Sequence, residues 1–162
     1  MNYYIADTHF GHANIIKHCN RPFKDVEEMN DVMRRNWNKV VTDNDTVYIL
    51  GDFAFRGSNY KEYEKELNGK KIFLEGNHDS FDRRMPDLLT VKDTGDKIVL
   101  CHYPIVEWNG FFRGVLHFYG HIHNSKNQAH ELMSQVKNAY NVGADLLGFT
   151  PRTKGQIVNE NF

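Results

Sequence analysis

Five short polar motifs, each directly after a short apolar run, constrain this chain more than any other feature. The runs are about as long as typical strands and are rich in β-branched or aromatic residues. They cover residues 3–6, 46–50, 71–74, 97–101 and 115–119. The motifs that follow them are Asp7-Thr8-His9, Gly51-Asp52, Gly76-Asn77-His78-Asp79, His102 and Gly120-His121-Ile122-His123. Because ligand sites of open α/β sheets form beyond the carboxyl ends of strands, the five motifs are predicted to converge on one centre.

The composition is that of an ordinary globular protein with balanced charge. The 162 residues are predicted to form one domain, 1–162, and a hydrophobic content of 40% is enough to bury a core. The formal net charge of -1 does not favour a protein that wraps nucleic acid, although a local basic patch is compatible with it. The sequence has no signal-peptide pattern and no long apolar run, so we expect a soluble, cytoplasmic protein without a membrane partner. The oligomeric state stays open.

Apolar runs alternate with amphipathic stretches, which favours an α/β layered architecture over a β-sandwich or a helical bundle. The clearest predicted helix covers residues 25–40. Asp25 can cap it, Glu28 completes a capping box, and apolar residues recur every three or four positions. Residues 88–101 predict a β-hairpin around a central turn, so the sheets are expected to be mixed.

The motifs supply carboxylates, an amide and imidazoles, which are the donors that a site for two divalent metals needs. In an extended segment residues i and i+2 point to the same side. Asp7 with His9, and His121 with His123, are therefore each predicted to present two ligands together. Taken singly, each pattern is more often a turn or a core histidine. Five of them in order, each at a strand end, favour a metal site.

The order Asp-x-His, Gly-Asp, Gly-Asn-His-Asp, His, Gly-His-x-His resembles that of the calcineurin-like metallophosphoesterases, and the resemblance runs from Asp7 to His123. It implies a four-layer α/β/β/α sandwich with mixed β-sheets and two divalent metal ions. One metal would take Asp7, His9, Asp52 and His123, and the other Asp52, Asn77, His102 and His121. Asp52 would bridge both. These donors suit Mn²⁺ first, with Fe, Zn²⁺, Ni²⁺ or Co²⁺ as alternatives, more than Ca²⁺.

The same resemblance implies a phosphoester hydrolase whose nucleophile is a hydroxide formed at the metals rather than a serine or cysteine side chain. His78, beside the ligand Asn77, is predicted to donate a proton to the leaving oxygen or a hydrogen bond to the phosphoryl group. Asp79 is predicted to orient the His78 imidazole; the alternative is that it caps the turn that follows.

Three further residues are predicted to contact substrate. Arg56 and Arg113 could pair bidentately with a phosphate, and either could instead be a solvated surface arginine. His12 follows the first motif closely enough to reach the site, or to be only a contact at a helix N-terminus. Aromatic residues cluster in the loops around these positions, where they could stack on a nucleobase or fill the core. They are Phe53, Phe55, Tyr60, Trp108, Phe111 and Phe112.

Two differences from the pattern of the protein phosphatase branch narrow the expected class of substrate. Residues 51–57 resemble the Gly-Asp-x-x-Asp-Arg-Gly pattern of the protein phosphatase branch, but Phe55 replaces its second aspartate and Asp79 replaces a glutamate. Short phage and bacterial relatives with Asp-Thr-His-Phe-Gly-His and Arg-Pro-Phe, as at residues 7–12 and 21–23 here, are more similar. A protein phosphatase is therefore disfavoured.

The leading expectation is a phosphodiesterase that acts on a small phosphoester or nucleotide-like substrate. The alternatives are a nuclease acting on nucleic-acid ends, a phosphomonoesterase, and a non-catalytic scaffold built on the same fold. Nucleic acid is not favoured as a partner because the charge is balanced. The scaffold is disfavoured because all seven implied ligands and His78 are present.

Overall fold

The computed structural model describes residues 1–56, 58–82 and 84–159. Among them the strands are β1 (Asn2–Ile5), β2 (Thr46–Leu50), β3 (Lys70–Leu74), β4 (Leu88–Asp93), β5 (Asp96–Cys101), β6 (Leu116–Tyr119), β7 (Ala139–Asn141) and β8 (Arg152–Thr153). The helices are α1 (Ala13–His18), α2 (Val26–Val40), α3 (Tyr60–Lys65), α4 (Gln128–Met133) and α5 (Lys154–Asn159), with a 3-10 helix at Phe111–Arg113. Gly57, the last residue of the phosphatase-like pattern, lies outside the described residues, as do positions 160–162 of the predicted domain. No helix in the described part of the chain is long and apolar enough to cross a bilayer.

The strands form two four-stranded sheets, and both sheets are mixed. In the first sheet β1 lies between β2, which is parallel to it, and β8, which is antiparallel, while β3 extends the parallel side. In the second sheet β5, β6 and β7 are parallel. Strand β4 pairs antiparallel with β5, which confirms the predicted hairpin.

Strand β1 reveals the order of the layers. Tyr3 faces helix α2, where its hydroxyl donates a hydrogen bond to the Val40 carbonyl at 2.8 Å. Tyr4 faces the second sheet, where its ring meets the ring of Phe118 edge-on at 5.0 Å between centroids. On the far side of the second sheet, Tyr119 packs with Met133 of α4. The order is therefore α2, first sheet, second sheet and α4, and the expected four-layer α/β/β/α sandwich is confirmed.

Helix α2 begins where the capping pattern predicts it. The Asp25 side chain accepts a hydrogen bond from the Glu28 amide at 2.8 Å, and the Glu28 carboxylate accepts one from the Lys24 amide at 2.7 Å. Such a cap stabilises a helix by about 1 kcal/mol. One face of the helix is apolar and buries Met29 and Trp37 in the core, so the helix covers the outer face of the first sheet.

The two sheets are joined at the edge that carries the motifs. Just past β1, Ala6 pairs in parallel with Gly143, which lies just past β7. The Ala6 amide donates to the Val142 carbonyl and the Ala144 amide donates to the Ala6 carbonyl, both at 2.8 Å. Since β1 and β7 end side by side, this edge gathers the loops that follow β1, β2, β3, β5 and β6.

Candidate metal centre

The backbone is left-handed at five of the motif residues. These are Asp7 (φ 56°), His9 (φ 53°), Asp52 (φ 53°), His121 (φ 71°) and His123 (φ 50°). The prediction that Asp7 with His9, and His121 with His123, lie in extended segments is therefore wrong, because all four residues have a left-handed backbone. A sparsely populated conformation of this kind costs on the order of 1–3 kcal/mol per residue, and such strain concentrates at functional sites.

The loops after β1 and β2 run side by side. The Asp7 amide donates to the Gly51 carbonyl at 3.1 Å, and the His9 amide donates to the Asp52 carbonyl at 3.0 Å. These bonds continue the pairing of β1 with β2 beyond the strands. They hold the side chains of the first motif next to the carboxylate of the second.

Four of the predicted ligands form a buried cluster, which consists of Asp7, His9, Asp52 and His123. Donor atoms of Asp7, His9 and His123 lie within 4.8 Å of one another. Asp52 joins them because its Oδ2 lies 3.6 Å from His9 Nε2. Asp7, His9 and Asp52 are each at most 1% exposed, so bulk water does not reach this cluster from their side.

The remaining predicted ligands, again with Asp52, form an open cluster, which consists of Asp52, Asn77, His102 and His121. Asn77 Oδ1 lies 3.0 Å from both His102 Nε2 and His121 Nδ1, and these two nitrogens are 3.3 Å apart. His102 is buried, whereas Asn77 is exposed and His121 is half-buried. This cluster therefore faces solvent on one side.

Asp52 connects the two clusters. Its Oδ2 lies 3.6 Å from His9 Nε2 in the buried cluster and 3.6 Å from His102 Nε2 in the open cluster. Asp7 also approaches the boundary, since it has a donor atom within 4.8 Å of donor atoms on Asp52 and His102. The fold thus brings all seven predicted ligands to one place, while their binding of metal stays a prediction.

Hydrogen bonds fix the tautomers of two imidazoles. His102 Nδ1 lies 2.9 Å from the Leu50 carbonyl oxygen, and His123 Nδ1 lies 2.8 Å from Asp145 Oδ2. Since a carbonyl or carboxylate oxygen accepts, each Nδ1 carries the proton and donates it. In the neutral form of each ring, Nε2 then has the lone pair that a metal ligand requires.

The buried, unpaired Nε2 of His9 indicates that the buried cluster can bind a cation. This nitrogen is buried and has no hydrogen-bond partner among the described residues, although it faces Asp52 Oδ2. An unpaired buried polar atom is costly, whereas a cation among these donors would bind it. Imidazole, carboxylate and amide donors match the preference of divalent transition metals, so the residues present fit such an ion.

Burial dominates the ionisation of the site. It raises the pKa of the Asp7 carboxyl to about 7, with the negative charge of Asp52 adding to the effect, and it raises the pKa of Asp52 too. It lowers the pKa of the His9 imidazole. His123 differs: burial acts to lower its pKa, but the hydrogen bonds to the Asp145 and Cys19 side chains and the negative charge of Asp7 together outweigh burial and raise it to about 10. A bound divalent cation would favour the charged carboxylates and neutral imidazoles that ligation needs.

Glycines in the motifs leave room for ligands of neighbouring motifs. A Cβ atom on Gly76 would lie 2.3 Å from Asp52 Oδ1, and one on Gly51 would lie 2.5 Å from His102 Nδ1. Gly51 also has a φ of +83°, a conformation that glycine adopts without steric cost. These two glycines are therefore required by the packing of the site and not only by the turns.

His78 lies beside the clusters and is exposed. Its backbone amide donates to Asp52 Oδ1 at 2.8 Å, and its ring centroid lies 5.6 Å from that of His9. The imidazole therefore approaches the clusters from the solvent side, where a substrate would enter.

The expectation that Asp79 orients the His78 imidazole is corrected by the structure. The Asp79 carboxylate accepts hydrogen bonds from three backbone amides, those of Gly76, Asp52 and Phe53, at 2.7 to 2.9 Å. The bond to Gly76 lies in the turn that precedes Asp79, whereas the alternative expected Asp79 to cap the turn that follows it. The other two bonds tie the loop after β3 to the loop after β2, so the buried carboxylate holds backbone rather than a ring.

The predicted substrate contacts lie in different places. His12 Nδ1 lies 3.3 Å from His9 Nδ1, and the exposed ring of Phe55 packs on His12 at 4.6 Å between centroids. Arg56 follows Phe55 at the same rim and is exposed. Arg113 instead lies near the amino ends of β5 and β6, where it lines a separate pocket beside the β4–β5 turn. Its predicted contact with a substrate held by the clusters does not fit this position.

Most of the six aromatic residues in the loops around the predicted substrate contacts fill the core or lie away from the clusters. Phe53 and Trp108 are buried, and Phe112 is exposed on the 3-10 helix next to Arg113. Phe55, by contrast, lies at the site, where its ring packs on His12. The core interpretation is therefore correct for Phe53 and Trp108.

The sequence did not single out three residues that lie at the site. The half-exposed ring of Tyr103 lies 4.6 Å from the His121 ring. Arg21 and Asp145 are buried beside the buried cluster and pair with each other. Arg21 lies in the Arg-Pro-Phe segment that contributed to the family resemblance, and this was the available signal. Asp145 follows the last motif and had no pattern to mark it.

Comparison with known proteins assigns the chain to a family. A family model described as calcineurin-like phosphoesterase matches residues 3–141. The uncharacterized protein MJ1445 of Methanocaldococcus jannaschii is 37% identical over 159 residues, which cover 96% of this chain and 88% of that protein.

Solved structures share the fold. The protein of unknown function AQ665 from Aquifex aeolicus is similar with a TM-score of 0.77 and 27% identity, covering 99% of this chain and 98% of that chain. A single mutant of Vps29 from Entamoeba histolytica has a TM-score of 0.51 at 18% identity, covering 88% of this chain and 72% of that chain, which is a likeness of fold alone. The family match includes every motif from Asp7 to His123, and the chain belongs to the calcineurin-like phosphoesterase family.

Proposed function

We propose that this protein is a metal-dependent phosphoester hydrolase that binds one divalent cation in the buried cluster and a second in the open cluster. The position of Asp52 supports this most directly, since its Oδ2 lies 3.6 Å from an imidazole nitrogen of each cluster. A carboxylate between two sets of donors is suited to bridge two cations. The family match supports a phosphoester as substrate.

We divide the donors between the two cations as the family resemblance implies. The buried cluster would hold its cation through Asp7, His9, Asp52 and His123, and the open cluster through Asp52, Asn77, His102 and His121. When bound, two divalent cations act as Lewis acids that make water nucleophilic at neutral pH and offset the charge of the phosphoryl oxygens. Mn²⁺ is our first choice, with Fe, Zn²⁺, Ni²⁺ and Co²⁺ as alternatives, because the donors are imidazole, carboxylate and amide.

The His78 imidazole would donate a proton to the leaving oxygen. Its amide is tied to Asp52 Oδ1, which holds it close to both clusters, and its exposed ring lies near His9. A positioned acid typically contributes about 10²–10⁴-fold in rate. Asp79 would support this role indirectly, since its carboxylate holds the Gly76 amide at the start of the same loop.

The surroundings of the clusters favour a small or nucleotide-like phosphodiester. Phe55 and Tyr103 are 43% and 46% exposed, and their rings lie against His12 and His121 respectively. Exposed rings beside a phosphoryl site can stack on a nucleobase, at about 1–3 kcal/mol per base. Arg56, at the same rim, could pair with a phosphate oxygen. The formal net charge of -1 does not favour a long nucleic acid as substrate.

Hydrolysis by the metal-reconstituted protein tests this proposal. The protein is stripped with a chelator, reloaded with Mn²⁺, Ni²⁺ or Co²⁺, and assayed against bis-p-nitrophenyl phosphate, p-nitrophenyl phosphate, cyclic nucleotides and short oligonucleotides. We expect metal-dependent cleavage with a higher kcat/KM for the diester than for the monoester. Cleavage of neither ester with any of these metals would refute the hydrolase. A preference for the monoester, or for the ends of oligonucleotides, would replace the small-diester substrate.

The variant His78→Ala separates metal binding from turnover. We expect it to keep its fold and its bound metal, and to lose about 10²–10⁴-fold in kcat on a substrate with a poor leaving group. His130→Ala is the matched control, because His130 lies on α4 and outside both clusters. A rate near that of the unchanged protein on the poor leaving group would contradict the role of His78 as the acid.

A further inference from the structure

We infer that Arg21 and Asp145 are positioning residues that hold the Asp7 loop and the His123 imidazole in the geometry that binds metal. The inference rests on the proposed function, because the geometry matters only if the buried cluster holds a cation. Neither residue is among the seven predicted ligands. Their side chains are 0% and 2% exposed, so they act from behind the site and do not contact a substrate.

Arg21 holds the loop that follows β1. Its Nη1 donates to the Thr8 carbonyl at 2.9 Å, and its Nη2 donates to the Asp7 carbonyl at 2.7 Å. Asp7 has a left-handed backbone, so this loop is strained and needs support from outside itself. A guanidinium offers several donors in fixed directions and can bind two successive carbonyls at once, which a lysine ammonium does less well.

Asp145 connects Arg21 to His123. Its Oδ1 accepts from Arg21 Nε at 2.8 Å and its Oδ2 accepts from Arg21 Nη2 at 3.2 Å, so the pair is bidentate. The same Oδ2 lies 2.8 Å from His123 Nδ1. A carboxylate at this distance keeps the proton of His123 on Nδ1 and leaves Nε2 for the metal. One buried carboxylate thus sets both the direction and the tautomer of a predicted ligand.

The Arg21–Asp145 pair joins segments that are far apart in the sequence. Arg21 follows α1 and Asp145 follows β7, while the ligands that they support follow β1 and β6. A buried ion pair is weak evidence for a purely stabilising role, because well-packed apolar residues often replace such a pair without loss of stability. Here each end of the pair also bonds a ligand-bearing loop, and an apolar replacement could not make those bonds. Positioning of the buried cluster therefore explains the pair better than stability does.

The variant Asp145→Asn tests the tautomer. The two side chains have the same shape, but one oxygen becomes an NH₂ group, so either Arg21 or His123 faces a donor instead of an acceptor. Where it is His123, the ring proton moves to Nε2 and the ring no longer binds metal there. In metal-free protein, we expect ¹⁵N shifts of the imidazole to show a proton on Nδ1 in the unchanged protein and a proton on Nε2 alone in the variant. In calorimetry, we expect the affinity of one Mn²⁺ to fall about 10–100-fold.

The variant Arg21→Lys tests the support of the loop. It keeps the charge beside Asp145 but loses the fork that binds the carbonyls of Asp7 and Thr8. We expect the affinity of the same Mn²⁺ to fall about 10–100-fold, while the His123 tautomer is unchanged. Arg34→Lys is the matched control, because Arg34 forms an exposed ion pair with Asp31 and should leave Mn²⁺ binding as it is.

The outcomes separate this inference from the proposed function. Failure of the unchanged protein to bind Mn²⁺ would overturn the proposed function and the inference with it. The inference alone would be overturned if the unchanged protein binds two Mn²⁺ and Asp145→Asn binds both with the same affinities as the unchanged protein and with the same His123 tautomer. Urea unfolding of each variant accompanies the titrations, and if Asp145→Asn does not fold, unchanged Mn²⁺ affinity in Arg21→Lys overturns the inference.

Discussion

The buried and open clusters share Asp52 but differ in what holds their other donors. In the buried cluster, Arg21 holds the backbone of Asp7, and Asp145 holds the ring of His123. In the open cluster, the Leu50 carbonyl holds His102, but Asn77 and the ring of His121 contact each other at the solvent side. One cluster is fixed by the rest of the chain, and the other is fixed on one side only.

This difference indicates that the two proposed cations differ in affinity and in access to substrate. Donors that are already held lose little freedom when a cation binds, so the buried cluster should bind its cation more tightly. The exposed Asn77 and the half-buried His121 leave a side of the open cluster accessible, where a phosphoryl oxygen can approach. We therefore expect a resident cation in the buried cluster and a more exchangeable cation, closer to substrate, in the open one.

The largest effect is expected from Asp52→Asn, because it removes the one donor that both clusters share. Asp52 Oδ1 accepts the His78 amide, so the new NH₂ group is forced to the other position, where it faces His9 Nε2 and His102 Nε2. We expect kcat/KM to fall by more than the roughly 100-fold that loss of an outer partner costs. Calorimetry should show weaker binding of both cations.

Asp93→Asn is the matched control for this change. Asp93 is a half-buried residue at the end of β4 that accepts a hydrogen bond from the Tyr4 hydroxyl, and it lies outside both clusters. The control should keep its activity and its metal. Loss of cation from one cluster only in Asp52→Asn would argue against a bridging carboxylate and would separate the two clusters completely.

The second effect concerns stability, and it follows from the burial of Asp7. Burial raises the pKa of this carboxyl from 3.8 to about 7, so between these pH values the unfolded chain is ionised while the folded chain keeps its proton. Its contribution to stability is therefore present at low pH and is lost as pH rises through this window. Because asparagine does not ionise, Asp7→Asn removes this pH-dependent loss of stability. The metal-free variant should gain stability relative to the unchanged protein as pH rises from about 4 to about 7.

Urea unfolding of the metal-free proteins across this range measures the gain. Each pKa unit corresponds to about 1.4 kcal/mol, so the difference in unfolding free energy should grow by a few kcal/mol at most. Asp43→Asn, at an exposed aspartate, is the control for the change in charge and should give a constant difference. A constant difference for Asp7→Asn as well would contradict the raised pKa that burial gives Asp7 in the buried cluster.

Much of this architecture could be predicted from the sequence because it depends on local patterns. The period of the apolar residues and the Asp25 cap predicted α2, and the rule that sites form at strand ends brought the seven predicted ligands together. The same rule also predicts that Arg113 lies at the opposite edge of the second sheet from the clusters, because Arg113 precedes β6 while His121 follows it.

Other features depend on neighbours in space, and the sequence carries little trace of them. The left-handed backbone at Asp7 and His9 is stabilised by bonds to the loop after β2, which lies more than forty residues away. Asp79 bonds to backbone amides of that same loop, so its role follows from the tertiary packing and not from its neighbour His78. Asp145 lies in a tail without a motif, and only the fold brings it to His123.

The smallest expected effect tests the contrast itself, by removing one imidazole from each cluster. His9→Ala takes a fully buried donor from the buried cluster, whereas His121→Ala takes a half-buried donor from the open cluster. We expect His121→Ala to keep one Mn²⁺ at the tighter affinity of the unchanged protein and to weaken the other. His9→Ala should instead weaken the tighter Mn²⁺, by at least about tenfold, or 1.4 kcal/mol. Because both changes replace histidine by alanine, each serves as the control for the other in the same calorimetric titration. The reverse pattern, with the tighter cation lost in His121→Ala, would mean that solvent exposure of Asn77 and His121 does not weaken binding, and that the preformed support around the buried cluster serves another purpose.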